Sequence, residues 1–128
     1  MAACTVIPVL GYPDVGKAID WLCSTFGFSL RLRIAGHRAQ LNVGDGAIVV
    51  TEQAGPVGKD SHSVMVRVEN VDSHHAQAVH HRARVLDSPA DYPFGERQYT
   101  VEDLAGHRWT FSQSIADVDP KDWGGTPG

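Results

Sequence analysis

The chain has 128 residues, of which 42% are hydrophobic and 20% charged, a composition typical of one globular domain rather than of a disordered chain. Its formal net charge of −4 disfavours nucleic-acid binding, which usually needs a basic surface, and no apolar run is long enough to span a membrane. No secretory signal pattern is visible at the N-terminus. We therefore expect a cytoplasmic protein whose two cysteines, Cys4 and Cys23, are reduced.

The first half of the chain predicts a strand, a helix and three further strands. The apolar run of residues 6–10 reads as a strand, and apolar residues at helical spacing predict a helix over 16–25. Asp14 is placed to cap this helix and Gly27 to end it. Extended spacing then follows in three segments, residues 30–34, 39–43 and 47–52, the last two joined by the turn sequence Gly44-Asp45-Gly46.

The second half repeats this order. Residues 63–68 predict a strand, residues 73–82 a helix capped by Asp72 or Ser73, and Val85-Leu86 a return to extended structure. Two more strands are predicted over 97–101 and 108–113. The chain thus divides into module one (about 5–53), a Gly/Pro-rich linker (54–60), module two (about 61–115) and an irregular tail (116–128) that Trp123 docks onto the body.

Several segments resemble the vicinal-oxygen-chelate superfamily, which holds glyoxalase I, bleomycin-resistance proteins and extradiol dioxygenases. The segments that carry this resemblance are residues 8–15, 18–22 and 26–28 in the first half and 66–72 and 99–111 in the second. Residues 93–97 and 119–124 are similar to a bacterial branch of glyoxalase-like proteins. The resemblance implies an α+β fold, in which two βαβββ modules form curved mixed sheets around a cleft. It also implies a homodimer, with module pairing within or between chains left open.

Enzymes of this superfamily hold a divalent metal ion with His, Glu or Gln side chains from the first and last strand of each module. Matching the motifs places these positions at Ile7, Glu52, Ser63 and Thr110. Apolar and hydroxyl side chains are poor ligands, so Glu52 is the acceptable position, and a one-residue shift in the alignment would add His62. That shift would also turn His62 to the other sheet face. We therefore predict no metal and no cofactor, with a divalent ion on Glu52 and His62 as the less favoured alternative.

A cleft-facing set of polar side chains follows from strand alternation and from the resemblance. If Thr110 faces the cleft, Trp109 and Phe111 pack beneath the helices. Arginines in such a cleft suit a carboxylate or phosphate-like group. The predicted ligand-binding residues are Arg38, Gln40, Ser63, Met65, Arg67, Tyr99, Thr110 and Ser112. The alternative is an ordinary exposed sheet face.

The histidines and the Ser, Thr and Cys side chains do not predict a further metal or catalytic site. His74, His75, His80 and His81 are predicted on a solvated helix face, and none of their spacings gives a chelating pair. His107 follows Gly106 in a turn and is expected to be structural. No motif places a His and a carboxylate beside a Ser, Thr or Cys.

Three functions remain open, and the chain is not assigned as an enzyme or a non-enzyme. The favoured one is metal-free binding or sequestration of an apolar or aromatic, polar-edged small molecule in a dimer cleft, as in bleomycin-resistance proteins. The second is a lyase, isomerase or dioxygenase that uses a metal at Glu52 and His62, or uses Arg67 as an electrophile. The third is a partner-binding module acting through the tail. For all three we expect neither a nucleic-acid partner nor a membrane.

Overall fold

A computed structural model describes residues 4–54 and 62–125. Of the predicted linker only residue 54 is described; residues 55–60 lie outside. Within the described ranges the element order is β1 (Val9–Tyr12), α1 (Val15–Phe26), β2 (Ser29–Ile34), β3 (Arg38–Val43), β4 (Gly46–Glu52), β5 (Ser63–Arg67), α2 (Val71–His80), β6 (Arg84–Tyr92), β7 (Glu96–Glu102), β8 (Arg108–Ser114) and a 3-10 helix (Pro120–Trp123). None of the helices in these ranges has the length and apolar character needed to cross a membrane.

Each half of the chain folds into a mixed four-stranded sheet with one helix. The strand orders are β1-β4-β3-β2 and β5-β8-β7-β6. In each sheet the first strand runs parallel to its neighbour, and the other pairs are antiparallel. A parallel first strand requires a crossover, which the helix supplies. This confirms the predicted α+β fold of two βαβββ modules.

The two compact units differ from the predicted modules at one turn. The first unit holds β1–β4 and α1 together with Asp103–His107, which join β7 to β8. The second unit holds α2 and the strands β5–β8. The turn groups with the first unit because its side chains bond to the end of β1, as described below.

Helix α1 follows the predicted limits closely. The Asp14 side chain accepts a hydrogen bond from the Lys17 backbone N–H at 3.0 Å, which confirms the predicted cap. Gly27 ends the helix at φ 79°, in the left-handed region that favours glycine. The helix buries Ala18, Ile19, Leu22 and Phe26. The buried sheet residues of this unit are Leu10, Ala39, Leu41, Ile48 and Val50.

The second half departs from the prediction at α2. This helix begins at Val71, and Asn70 is its cap, accepting from the Ser73 backbone N–H at 2.9 Å. The predicted start at residue 73 and the predicted caps Asp72 and Ser73 are therefore wrong. The Asn70 side chain already reaches the third backbone N–H of the helix, so Asp72 and Ser73 lie inside its first turn.

Two other segments are more ordered than predicted. Strand β6 extends over nine residues, with two register shifts against β7, where only Val85-Leu86 was predicted. The predicted irregular tail contains the 3-10 helix Pro120–Trp123. The Trp123 ring packs edge-on against Phe94 with ring centroids 5.6 Å apart, as the docking prediction requires. Cys4 and Cys23 are both free thiols.

Candidate functional site

The sheet of the first unit has one face turned towards α1 and one turned away, which we call the outer face of the first sheet. Strand register assigns its members, because residues paired across neighbouring strands share a face. Val49 pairs with Val9 and with Gln40, and Gln40 in turn pairs with Leu32. The outer face carries Val9, Leu32, Ile34, Arg38, Gln40, Val49 and Thr51.

A pocket with a volume of about 240 Å³ lies on this outer face. Leu32, Ile34 and Val49 supply its apolar wall, and Leu32 and Ile34 are exposed. Polar groups come from the predicted ligand residues Arg38 and Gln40 and from an additional one, Arg31. The structure therefore brings Arg38 and Gln40 together in one pocket, with apolar neighbours that the prediction did not include.

A β-bulge places Arg31 at the pocket. Leu30 pairs with Leu41 and Leu32 with the adjacent Gln40, so Arg31 is the extra residue in β2. The Arg31 Nη1 donates to Gln40 Oε1 at 2.6 Å. Gln40 is only 5% exposed, so the group that orients the Arg31 guanidinium is a buried amide. Spacing along β2 alone does not show this bulge, so the sequence did not predict Arg31 at the site.

The second sheet also has a face turned away from its helix, and it carries most of the other predicted ligand residues. The parallel register of β5 and β8 aligns Met65 with Thr110 and Arg67 with Ser112, and Ser63 shares their parity. Thr110 and Ser112 therefore lie on the opposite face of β8 from Trp109 and Phe111, which are fully buried. The predicted parity of β8 is confirmed.

Polar groups on this face of the second sheet bond to one another. Arg67 Nη2 forms an ion pair with Glu96 Oε1 at 2.9 Å. Ser112 Oγ donates to the same Glu96 oxygen at 3.1 Å and accepts from Gln98 Nε2 at 3.0 Å. Thr110 and Thr100 share a hydrogen bond at 3.0 Å. Glu96 and Gln98 were not predicted, and Glu96 neutralises the Arg67 charge that the electrophile hypothesis needs.

Tyr99 does not join this set, and its predicted place beside Thr110 is wrong. It pairs with Phe111 across the strands, so it lies on the helix side, where it is 1% exposed. A hydrogen bond of 2.5 Å joins its hydroxyl to His74 Nδ1. Burial raises the pKa of the Tyr99 phenol.

The prediction that His74 lies on a solvated helix face is also wrong. His74 is half-buried and stacks on Phe111, with ring centroids 3.9 Å apart. Its neighbour His75 contacts Tyr99 edge-on at 5.2 Å. His74 therefore belongs to the core beneath α2. An i, i+3 relation to the first buried residue of the helix, Val71, is the pattern that could have indicated this.

A buried polar cluster ties the turn after β7 to β1 in the first unit. The Tyr12 hydroxyl donates to Asp103 Oδ2 at 2.6 Å. His107 donates from its backbone N–H to Asp103 Oδ1 and from Nε2 to the Gly11 carbonyl at 2.7 Å. Burial, and secondly the Asp103 charge, raise the pKa of Tyr12. His107 is thus buried and hydrogen-bonded, in line with the structural role expected of it.

Comparisons with known proteins place the chain in a family. The model of the Glyoxalase/Bleomycin resistance protein/Dioxygenase superfamily matches residues 6–111. The chain belongs to this superfamily. No curated protein matches it significantly.

Solved structures agree with this assignment. TioX from Micromonospora sp. ML1 is 32% identical, with 91% of this chain and 100% of that one covered and a TM-score of 0.75. The fosfomycin resistance protein FosX from Listeria monocytogenes is 12% identical, with 88% and 94% covered and a TM-score of 0.74. Lactoylglutathione lyase from Agrobacterium tumefaciens is 13% identical, with 88% and 96% covered and a TM-score of 0.67. The last two show a shared fold alone.

The residues present do not fit the divalent ion that the superfamily implies. In the first unit the positions facing away from α1 on β1 and β4 are Val9, Gly11, Ala47, Val49 and Thr51; in the second unit those on β5 and β8 are Ser63, Met65, Arg67, Arg108, Thr110, Ser112 and Ser114. None of them carries an imidazole, carboxylate or thiolate, the usual metal ligands. Across residues 4–54 and 62–125, no three His, Cys, Asp or Glu side chains group as a metal site.

The two weaker candidates for metal ligands, Glu52 and His62, do not belong to this set of strand positions. Glu52 is exposed at the end of β4 and shares the parity of Val50, so it lies on the opposite face of the strand from Thr51. His62 precedes β5 by one residue and has the opposite parity to Ser63. Ile7, matched to the first-strand position, precedes β1, which begins at Val9.

Proposed function

We propose that this protein binds a small organic molecule on the outer face of the first sheet, without a metal ion. The observation that carries the proposal is the pocket, in which exposed apolar side chains lie beside Arg38 and Gln40. Ligand pockets are mostly apolar, with a few polar groups that orient the ligand. This outer face has that composition.

Pocket size favours a compact ligand. Its volume of about 240 Å³ lies a little below the roughly 300–1,000 Å³ of typical small-molecule sites. A molecule of one to three rings fits this space, packing on Leu32 and Ile34. Burial of apolar surface contributes roughly 25 cal/mol per Å², so these two side chains are the expected source of affinity.

The corresponding face of the second sheet is a weaker candidate. Its polar side chains satisfy one another through the hydrogen bonds of Glu96, Ser112 and Gln98. A ligand there would have to replace bonds that already exist, which reduces the net gain. Met65 is its exposed apolar side chain on β5.

A fluorescent apolar probe tests the proposal directly. N-phenyl-1-naphthylamine, which is uncharged, is titrated into protein in the presence of a metal chelator. We expect saturable binding of about one probe per chain, weakened about tenfold in the variant Leu32→Thr/Ile34→Thr. Threonine is β-branched, a side-chain shape that strands favour, and both positions are exposed, so the fold is expected to survive.

Val79→Thr is the matched control, because Val79 on α2 has the same 51% exposure as Ile34. It is expected to bind the probe as the unaltered protein does. Absence of saturable binding, or equal weakening in the control, contradicts the proposal. Binding that appears only after a divalent ion is restored would favour the metal-dependent lyase, isomerase or dioxygenase instead.

A homodimer and a cytoplasmic location are part of the same proposal. Homo-oligomers with two-fold symmetry are the commonest assemblies, and β1, the first strand in the order of the first sheet, carries an exposed Val9. The two free thiols are compatible with a reducing compartment. Native mass spectrometry with elemental analysis is expected to show the mass of a dimer and no stoichiometric metal; a monomer, or one bound ion per chain, would contradict this part.

A further inference from the structure

The strands around the pocket carry an unusual local charge. The whole chain has a formal net charge of −4, yet the segment from residue 21 to residue 44 contains three arginines and no Asp or Glu. These arginines are Arg31, Arg33 and Arg38. Arg31 and Arg38 lie at the pocket on the outer face of the first sheet, so this part of an acidic protein carries positive charge and attracts anions.

Two of these arginines, Arg31 and Arg38, line the pocket. Among the described residues, no Asp or Glu forms an ion pair with Arg31 or Arg38. Elsewhere in the described chain, Arg67, Arg84 and Arg97 each have a carboxylate partner. Within the described residues, no carboxylate thus neutralises the charges of the two pocket arginines.

Geometry favours one of them as the ligand anchor. Arg38 lies at the start of β3, paired with Ile34 across the strands, so its guanidinium shares a face with the apolar wall. Arg31 is held by Gln40 through one of its donors, and a guanidinium has five. Both can donate to an anion, and among the described residues no side chain competes for the Arg38 guanidinium as Gln40 does for that of Arg31.

We infer that the ligand is an apolar, ring-containing molecule bearing an anionic oxygen group, with Arg38 as its partner. A carboxylate accepts two parallel N–H bonds from a guanidinium, which makes this pairing both strong and directional. The rings pack on Leu32 and Ile34 while the anion lies at Arg38. This inference names the ligand class of the site in the proposed function and rests on that proposal.

A matched pair of competitors separates charge from shape. Bound N-phenyl-1-naphthylamine is displaced with 2-naphthoate or with 2-naphthamide, which has nearly the same shape and no charge. We expect the carboxylate to compete at about tenfold lower concentration, and raised salt to reduce this preference because the site is exposed to solvent. In Arg38→Gln the preference is expected to fall to about one, with 2-naphthamide affinity unchanged.

Arg33→Gln is the control, since Arg33 lies on the same strand as the apolar wall and pairs with Ala39, whose side chain is buried on the other face. It removes the same charge and should keep the carboxylate preference. Equal competition by the two ligands, or equal loss of preference in both variants, overturns the inference while the probe still binds. Failure of the probe itself to bind overturns the proposed function, so the two failures are distinguishable.

Discussion

Replacing Tyr12 with phenylalanine tests whether the turn after β7 is anchored as the structure shows. The lost group is a fully buried hydroxyl that donates to Asp103 Oδ2 at 2.6 Å. Hydrogen bonds to charged groups contribute about 1.5–3 kcal/mol, so Tyr12→Phe is expected to lower the free energy of unfolding by about 2 kcal/mol. With an unfolding entropy of about 2.1 cal/mol/K per residue, this corresponds to a fall in Tm of about 7 °C.

The same variant changes the pH dependence of stability. The folded protein keeps the Tyr12 phenol neutral, because burial and the Asp103 charge raise its pKa above the ordinary 10.0. The unfolded chain releases that proton above about pH 10, so this contribution to stability is present below pH 10 and is lost as the pH rises. Between about pH 10 and 11 the deficit of Tyr12→Phe is therefore expected to shrink by about 1 kcal/mol.

Chemical denaturation at pH 7, 10 and 11 measures both effects. Tyr92→Phe is the matched control, since Tyr92 is 38% exposed and should change stability by less than about 0.5 kcal/mol at each pH. A Tyr12→Phe protein as stable as the unaltered one, or a deficit that stays constant up to pH 11, would refute the buried Tyr12–Asp103 bond.

Three further substitutions have defined outcomes. Gly95→Ala is expected to lower the free energy of unfolding, measured by denaturant titration, by about 2–3 kcal/mol, because Gly95 has φ 85° and a Cβ there would lie 2.2 Å from the Ala116 carbonyl oxygen. Gly36→Ala is the control, since the space around Gly36 is open, and its effect should be near zero. Equal effects of the two variants would contradict this prediction. Asp14→Ala is expected to cost about 1 kcal/mol through loss of the α1 cap, and an unchanged Tm would argue against that cap. Tyr99→Phe removes the bond to His74 and is expected to cost about 1 kcal/mol, with no loss of probe binding; reduced binding would mean that Tyr99 contacts the ligand after all.

Much of the fold follows from local patterns in the chain. The helical stripe of α1, its Asp14 cap and its Gly27 end lie within a few residues of one another, so spacing is sufficient to predict them. Recurrence of the same order in the second half then indicates two βαβββ modules. Helix α2 is less amphipathic, and its start was misplaced because Asp72 and Ser73 are as good caps by residue type as Asn70.

The site was less predictable because it depends on strand register. The turn 102–106 permits more than one pairing, and a shift of one residue exchanges the faces of β7. This is why Tyr99 was placed with Thr110, although its partner is Phe111. Arg97 reinforced the mistake, since a polar residue of the same parity suggested a solvent face; its guanidinium instead reaches Asp72 and Asp91.

Arg31 was missed for a related reason. The bulge that brings it beside Gln40 is set by pairing between β2 and β3, and no spacing within β2 shows it. Arg38 and Gln40 were predicted because they alternate on a strand whose other face is apolar. The absence of a metal ion was inferred from residue types and stays a prediction.

Mapping the ligand position in solution tests the central claim most directly. Backbone amide chemical shifts of ¹⁵N-labelled protein are followed during titration with N-phenyl-1-naphthylamine in the presence of a metal chelator. The largest changes are expected at Ile34, Gln40 and Val49, on the outer face of the first sheet, with Met65 and Thr110 little affected. Changes centred on Met65 and Thr110, or no saturable change without a divalent ion, would contradict a metal-free site on the first sheet.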